Sequence, residues 1–111
     1  MARNRYLRRD EFATFLRESG DEVVGITRDI HECPIATHLD RLTRREWHVS
    51  PLACVPQVDA ESGEDQFDLN HEFTPPRWAR DFIYAIDAAF GTHSVEVSGT
   101  DALYVLHEAV K

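Results

Sequence analysis

The sequence predicts a small single-domain α+β fold, and three observations carry the prediction. The chain has 111 residues, 42% of them apolar, enough for one core without help from a metal or a disulfide. Helical spacing of apolar residues recurs in four segments, each opened by a capping residue or a proline. Between the second and third of these, apolar and polar residues alternate with the period of a strand. The expected order is α-α-β-β-α-α. Four helices cover one antiparallel β-hairpin, because two strands alone bury too little to be stable.

Taken in order, Asp10 can cap a first helix through its carboxylate, with Phe12, Phe15 and Leu16 on one face and Ser19-Gly20 as the stop. Residues 23–30 read as loop or extended chain. Cys33 falls at the N-cap and Pro34 at the first position of a second helix, where no backbone N–H is needed. Ile35, Leu39 and Leu42 form its apolar stripe at i, i+4 and i+7. Residues 47–55 look extended, and Pro51 restricts them to an edge or bulged strand. After a polar turn over 59–66, Phe67, Leu69, His71 and Phe73 alternate with Asp68, Asn70 and Glu72, which completes the hairpin. Thr74-Pro75-Pro76 opens a third helix carrying Trp78, Phe82, Ile86 and Ala89, ended by Gly91. Ser98 and Asp101 have capping-box spacing at the head of a fourth, with Leu103, Leu106 and Val110 as its stripe. The expected core is Trp47, Phe67, Leu69, Phe73, Trp78, Phe82 and Leu106. Residues 1–9 read as a basic, flexible arm ahead of a domain spanning 10–111.

Composition narrows the function classes. No stretch approaches the roughly 20 apolar residues of a membrane span. The charged N-terminal residues are followed by no apolar run, so a secretory signal is not expected. Two cysteines, Cys33 and Cys54, fit reduced thiols, and the expected location is the cytoplasm. The net charge is −8 and is unevenly spread: nine arginines face eight acids in residues 1–45, but only three Lys/Arg face twelve acids in 46–111. Such a balance opposes general phosphate-backbone binding and suits a partner with a basic surface.

Four weaker signals bear on chemistry. The acidic residues Asp59, Glu61, Glu64, Asp65, Asp68 and Glu72 cluster in and after the hairpin turn, and form the favoured contact face for a basic partner. Arg3, Arg5, Arg8 and Arg9, interleaved with Tyr6, could contact nucleic acid together with Arg41, Arg44 and Arg45. His31, Cys33 and His38 are zinc-ligand types, but their spacing lacks the paired units of a zinc site, so no metal and no cofactor are expected. Cys33 at a helix N-terminus, with His31 or His38 as base, is the one arrangement resembling an activated nucleophile. It lacks a recognisable orienting group, and the balance is against an enzyme.

The segments Glu32-Cys33-Pro34-Ile35-Ala36-x-x-Leu39 and Thr74-Pro75-x-x-Trp78-Ala79-x-x-Phe82 resemble stretches of small uncharacterised bacterial proteins with a C-P-L-A-x-x-L segment and a T-P-x-W-A-x-x-F segment. This chain has Ile35 in place of the leucine and an added Pro76. The resemblance implies one compact domain from about residue 10 onward and transfers no site. The expected function is that of a small acidic regulatory or adaptor protein working through protein–protein contact. The alternatives are a phage or mobile-element anti-defence inhibitor that imitates nucleic-acid charge, and a small nucleic-acid-associated regulator using the N-terminal arginines.

Overall fold

The fold is described by a computed structural model for residues 3–58 and 66–110. Ten elements follow one another: α1 (Arg9–Ser19), β1 (Val23–Ile26), α2 (Pro34–Thr43), β2 (Trp47–Val49), β3 (Cys54–Val58), β4 (Gln66–Phe67), a 3-10 turn (Leu69–His71), α3 (Arg77–Ala89), β5 (Glu96–Ser98) and α4 (Gly99–Ala109). The class is α+β with the four expected helices. The strands form two small antiparallel sheets, β1-β5 and β2-β3-β4, where one hairpin was expected.

β1 lies in the segment read as loop or extended chain. Its partner β5 lies just before α4, where no element was expected. Four- and three-residue strands are too short for their period to show, and their pairing joins residues about 70 positions apart. Two glycines permit close approach between elements. A Cβ on Gly25 in β1 would meet Glu32 O and Pro34 N at 2.6 Å, so the start of α2 lies directly on that strand. A Cβ on Gly99 would collide with Leu16 O and Ser19 Cβ, which seats the first turn of α4 on the end of α1.

Residues 47–55 are two strands folded back on each other. Ser50 makes the turn: its N–H donates to Ala53 O, and its Oγ accepts from the N–H groups of Leu52 and Ala53. Pro51 lies in this turn and in no strand. The alternating run from Phe67 to Phe73 leaves the ladder after Phe67. Asp68 diverts it, because Oδ1 accepts from Asn70 N–H at 3.2 Å and starts a 3-10 turn. The chain returns only at Phe73, which bridges Cys54. Phe73 is therefore buried, but Phe67 and Leu69, both expected in the core, are 41% and 66% exposed. Trp47, Phe82 and Leu106 are buried as expected, and Trp78 packs half-buried against the same cluster.

The helix caps divide in the same way. Cys33 Sγ accepts from Ala36 N–H at 3.4 Å, and Ser98 Oγ accepts from Asp101 N–H at 3.1 Å, as the spacing predicts. Asp10 is already inside α1, whose N-cap is Arg8, and its carboxylate suits the first turn through the helix dipole. Thr74 does not cap α3, which begins at Arg77 after Pro76. Two successive prolines hold the preceding residues out of helical conformation. Leu42, on the expected buried stripe of α2, is 49% exposed, while His38 is buried beside Phe12 and Phe15.

The expected arm over residues 1–9 is docked from Asn4 onward. Asn4 Oδ1 accepts from Tyr6 and Leu7 N–H, Leu7 is buried, and Tyr6 packs edge-on against Trp47 at 5.7 Å. Arg9 belongs to α1 and donates to Val110 O at 2.6 Å. Apolar burial by Leu7 and Tyr6 outweighs the preference of the arginines for solvent. No helix among the described residues is long and apolar enough to cross a membrane.

Candidate protein interface

The three-stranded sheet has one face in the core and one outside. Trp47 and Val49 of β2, with Cys54 and Pro56 of β3, point inward and are buried. Strand alternation then places His48, Val55 and Gln57 on the outer face, and the β3–β4 register sets Phe67 opposite Gln57. These residues form a connected layer. The His48 ring meets Phe67 at 4.4 Å between centroids and His31 at 3.7 Å, both edge-to-face. Gln57 Nε2 and His48 Nε2 lie 2.8 Å apart in a hydrogen bond.

Beside this layer is a pocket of about 340 Å³ lined by His31, Glu32, Asp40, Glu46, Trp47 and Gln57. Three carboxylates share the lining, and among the described residues no lysine or arginine does. Asp40 is fixed by accepting the Trp47 N–H on Oδ1 at 3.0 Å. Burial pushes its carboxyl up to about 6, and the charges of Glu46 and Glu32 push in the same direction. A carboxylate held against both desolvation and like charge favours an arriving cation, which would offset the repulsion.

The residues singled out from the sequence are distributed differently. Asp59, Glu61, Glu64 and Asp65 lie outside the described residues. Asp68 is engaged inside the fold: Oδ2 accepts from Arg45 at 3.1 Å and lies 2.7 Å from His71 Nδ1. Desolvation works to raise the Asp68 carboxyl, but the bonds and charges of His71 and Arg45 outweigh it and hold it below the usual range. Glu72 is half-buried. Among the arginines, Arg9 is bound to the Val110 carbonyl, Arg45 to Asp68 and the Gln57 carbonyl, and Arg41 lies over the Phe15 ring at 5.2 Å. Arg3, Arg5, Arg8 and Arg44 are exposed, and Arg44 forms the left-handed C-cap of α2.

His31, Cys33 and His38 line three different pockets and do not converge. Among the described residues no group of three or more His, Cys, Asp or Glu is arranged to hold a metal ion. Cys33 itself is buried, which disfavours the thiolate a nucleophile needs. Burial pushes its thiol up to about 12, which overrides the two backbone N–H groups that favour the thiolate.

Sequence reasoning missed Glu32, Asp40, Glu46, Gln57 and Phe67 as one surface. The available signal was the pair Asp40 and Glu46 ahead of an inward-pointing Trp47, and it becomes legible only once the turn at Ser50–Ala53 sets the register. Compared with known proteins, the chain matches no protein-family model, no curated protein and no solved structure.

Proposed function

We propose that this protein is a non-enzymatic interaction domain that binds a partner protein through the outer face of β2-β3-β4, with a lysine or arginine of the partner entering the pocket of Glu32, Asp40 and Glu46. One observation carries the reading. Glu32, Asp40 and Glu46 line one pocket with no lysine or arginine among its described lining residues, next to an outward layer of His48, Gln57 and Phe67. Aromatic and amide groups beside a charged pocket supply the two parts of a contact surface: an anchor that excludes water and a charge that selects the partner. The net −8 of the chain supports the same choice of a basic partner and adds long-range steering.

The test begins with a photo-crosslinking residue at Phe67 in the native host, to recover the partner. Its dissociation constant is then measured for the wild type and for Glu32→Lys/Glu46→Lys across a salt series. The reading expects affinity to fall steeply with salt and the double variant to bind about tenfold weaker or worse. Salt-independent binding that ignores both substitutions refutes it.

A further inference from the structure

A second concave surface lies between α1 and α2 and shares no lining residue with the carboxylate pocket. It is an open groove of about 430 Å³. On α1, Asp10, Thr14 and Glu18 follow at i, i+4 and i+8, with Glu11 and Phe15 alongside. That stripe runs about 12 Å along the helix, two turns and a little more. The α2 wall is His38, Arg41 and Leu42, at i, i+3 and i+4. Leu42 belongs to the apolar stripe of its helix yet stands 49% exposed, because the last turn of α2 faces this opening and not the core.

Floor and rim differ in character. Phe15, His38 and Leu42 make the floor apolar and aromatic: the His38 ring lies 5.0 Å from Phe15, and its Nε2 is sealed from solvent without a partner. Asp10, Glu11 and Glu18 make the α1 rim acidic, against the single guanidinium of Arg41, which is laid over Phe15. A ligand complementary to both parts is apolar on one side and cationic on its flank. The α1 wall is about two turns long and the α2 wall about one, an opening on which a short stretch of a third helix can rest.

We propose that the α1–α2 groove is a second docking site, and that it receives a cationic amphipathic helix of a partner protein. An aliphatic side chain of that helix seats on Phe15 and Leu42, and its lysines or arginines face Asp10, Glu11 and Glu18. Arg41 swings off Phe15 to admit the anchor.

The full-length chain is titrated with a synthetic Leu/Lys amphipathic helix of about 15 residues, followed by amide chemical-shift mapping. A Leu/Glu peptide of the same pattern is the charge control. Shifts are expected within residues 10–18 and 38–42, with no binding of the acidic peptide. Glu11→Lys/Glu18→Lys, at two exposed positions that leave the core untouched, is expected to weaken binding about tenfold. Glu32→Lys/Glu46→Lys should leave it within about twofold, which separates this site from the carboxylate pocket. No binding up to about 1 mM overturns the proposal. So do shifts centred elsewhere, equal loss in both charge variants, or binding of the acidic peptide.

Discussion

Replacing His38 by phenylalanine tests the core at the one buried side-chain nitrogen or oxygen that lacks a hydrogen-bond partner among the described residues. His38 is 4% exposed, lies 5.4 Å and 5.0 Å from the rings of Phe12 and Phe15, and has no partner for Nε2. Burial lowers its protonation from 6.5 to about 4. As pH falls, the unfolded chain therefore takes up a proton that the folded chain refuses, and stability is lost between those two values. Between about pH 7.5 and pH 5.5 the loss comes to roughly 1–2 kcal/mol. Asp40 acts in the opposite sense. Its carboxyl is raised from 3.8 to about 6, so the folded state binds the extra proton and gains somewhat under about 1 kcal/mol over the same interval. The wild type alone thus shows a muted response, and the comparison between proteins is what isolates His38. The assay is urea unfolding of the wild type, His38→Phe and His38→Leu at both pH values. At pH 7.5 each variant removes an unsatisfied nitrogen worth about 1–3 kcal/mol, less any strain from the changed shape. On going to pH 5.5 the gap in favour of each variant should widen by roughly 1–2 kcal/mol. A gap that stays constant with pH in both variants would mean that His38 is solvated or hydrogen-bonded in the folded state, and the description of this part of the core would be wrong.

Gly25→Ala should destabilise the fold by about 1–3 kcal/mol in the same unfolding assay, since the new methyl meets backbone atoms at 2.6 Å; an unchanged midpoint would show that α2 is not seated on β1. Asp40→Asn keeps an oxygen for the Trp47 N–H but removes the crowded charge, so stability at neutral pH should rise by about 1–2 kcal/mol after allowance for screening at a partly open site; a loss would mean that the carboxylate is satisfied as it stands. Cys33, with its thiol raised to about 12, should resist a thiol-specific reagent at neutral pH in the native protein and react on unfolding; rapid native labelling would restore the nucleophile reading.

The parts of the fold that were legible in the sequence are those written in local chemistry. Pro34 with Cys33, and Ser98 with Asp101, announce helix starts through groups only three residues apart. Gly91 ends α3 with a positive φ directly after the last apolar turn. What escaped depends on contacts distant in sequence. β1 and β5 are too short to show a period, and Gly25 in β1 lets the start of α2 lie directly on that strand. Phe67 and Leu69 alternate like a strand, but the β3–β4 register sets Phe67 on the outer face and the Asp68 turn takes Leu69 out of the ladder. The candidate interface was hidden for the same reason. His48, Gln57 and Phe67 meet only through strand register, and Asp40 reaches the pocket from a helix. The charge count points to a basic partner; among the described residues Glu32, Asp40 and Glu46 line one pocket, while Asp59, Glu61, Glu64 and Asp65 lie outside the described residues.

The most direct test of the central claim, that the outer face of β2-β3-β4 is where this protein meets its partner, is paired crosslinking in the native host. A photoreactive residue is placed at Phe67 on that face and, separately, at Tyr104, an exposed position on α4. The account predicts a specific adduct from Phe67 that is lost when Glu32 and Glu46 are changed to lysine, and none from Tyr104. Adducts from Tyr104 alone, or a Phe67 adduct indifferent to both charge reversals, would contradict it.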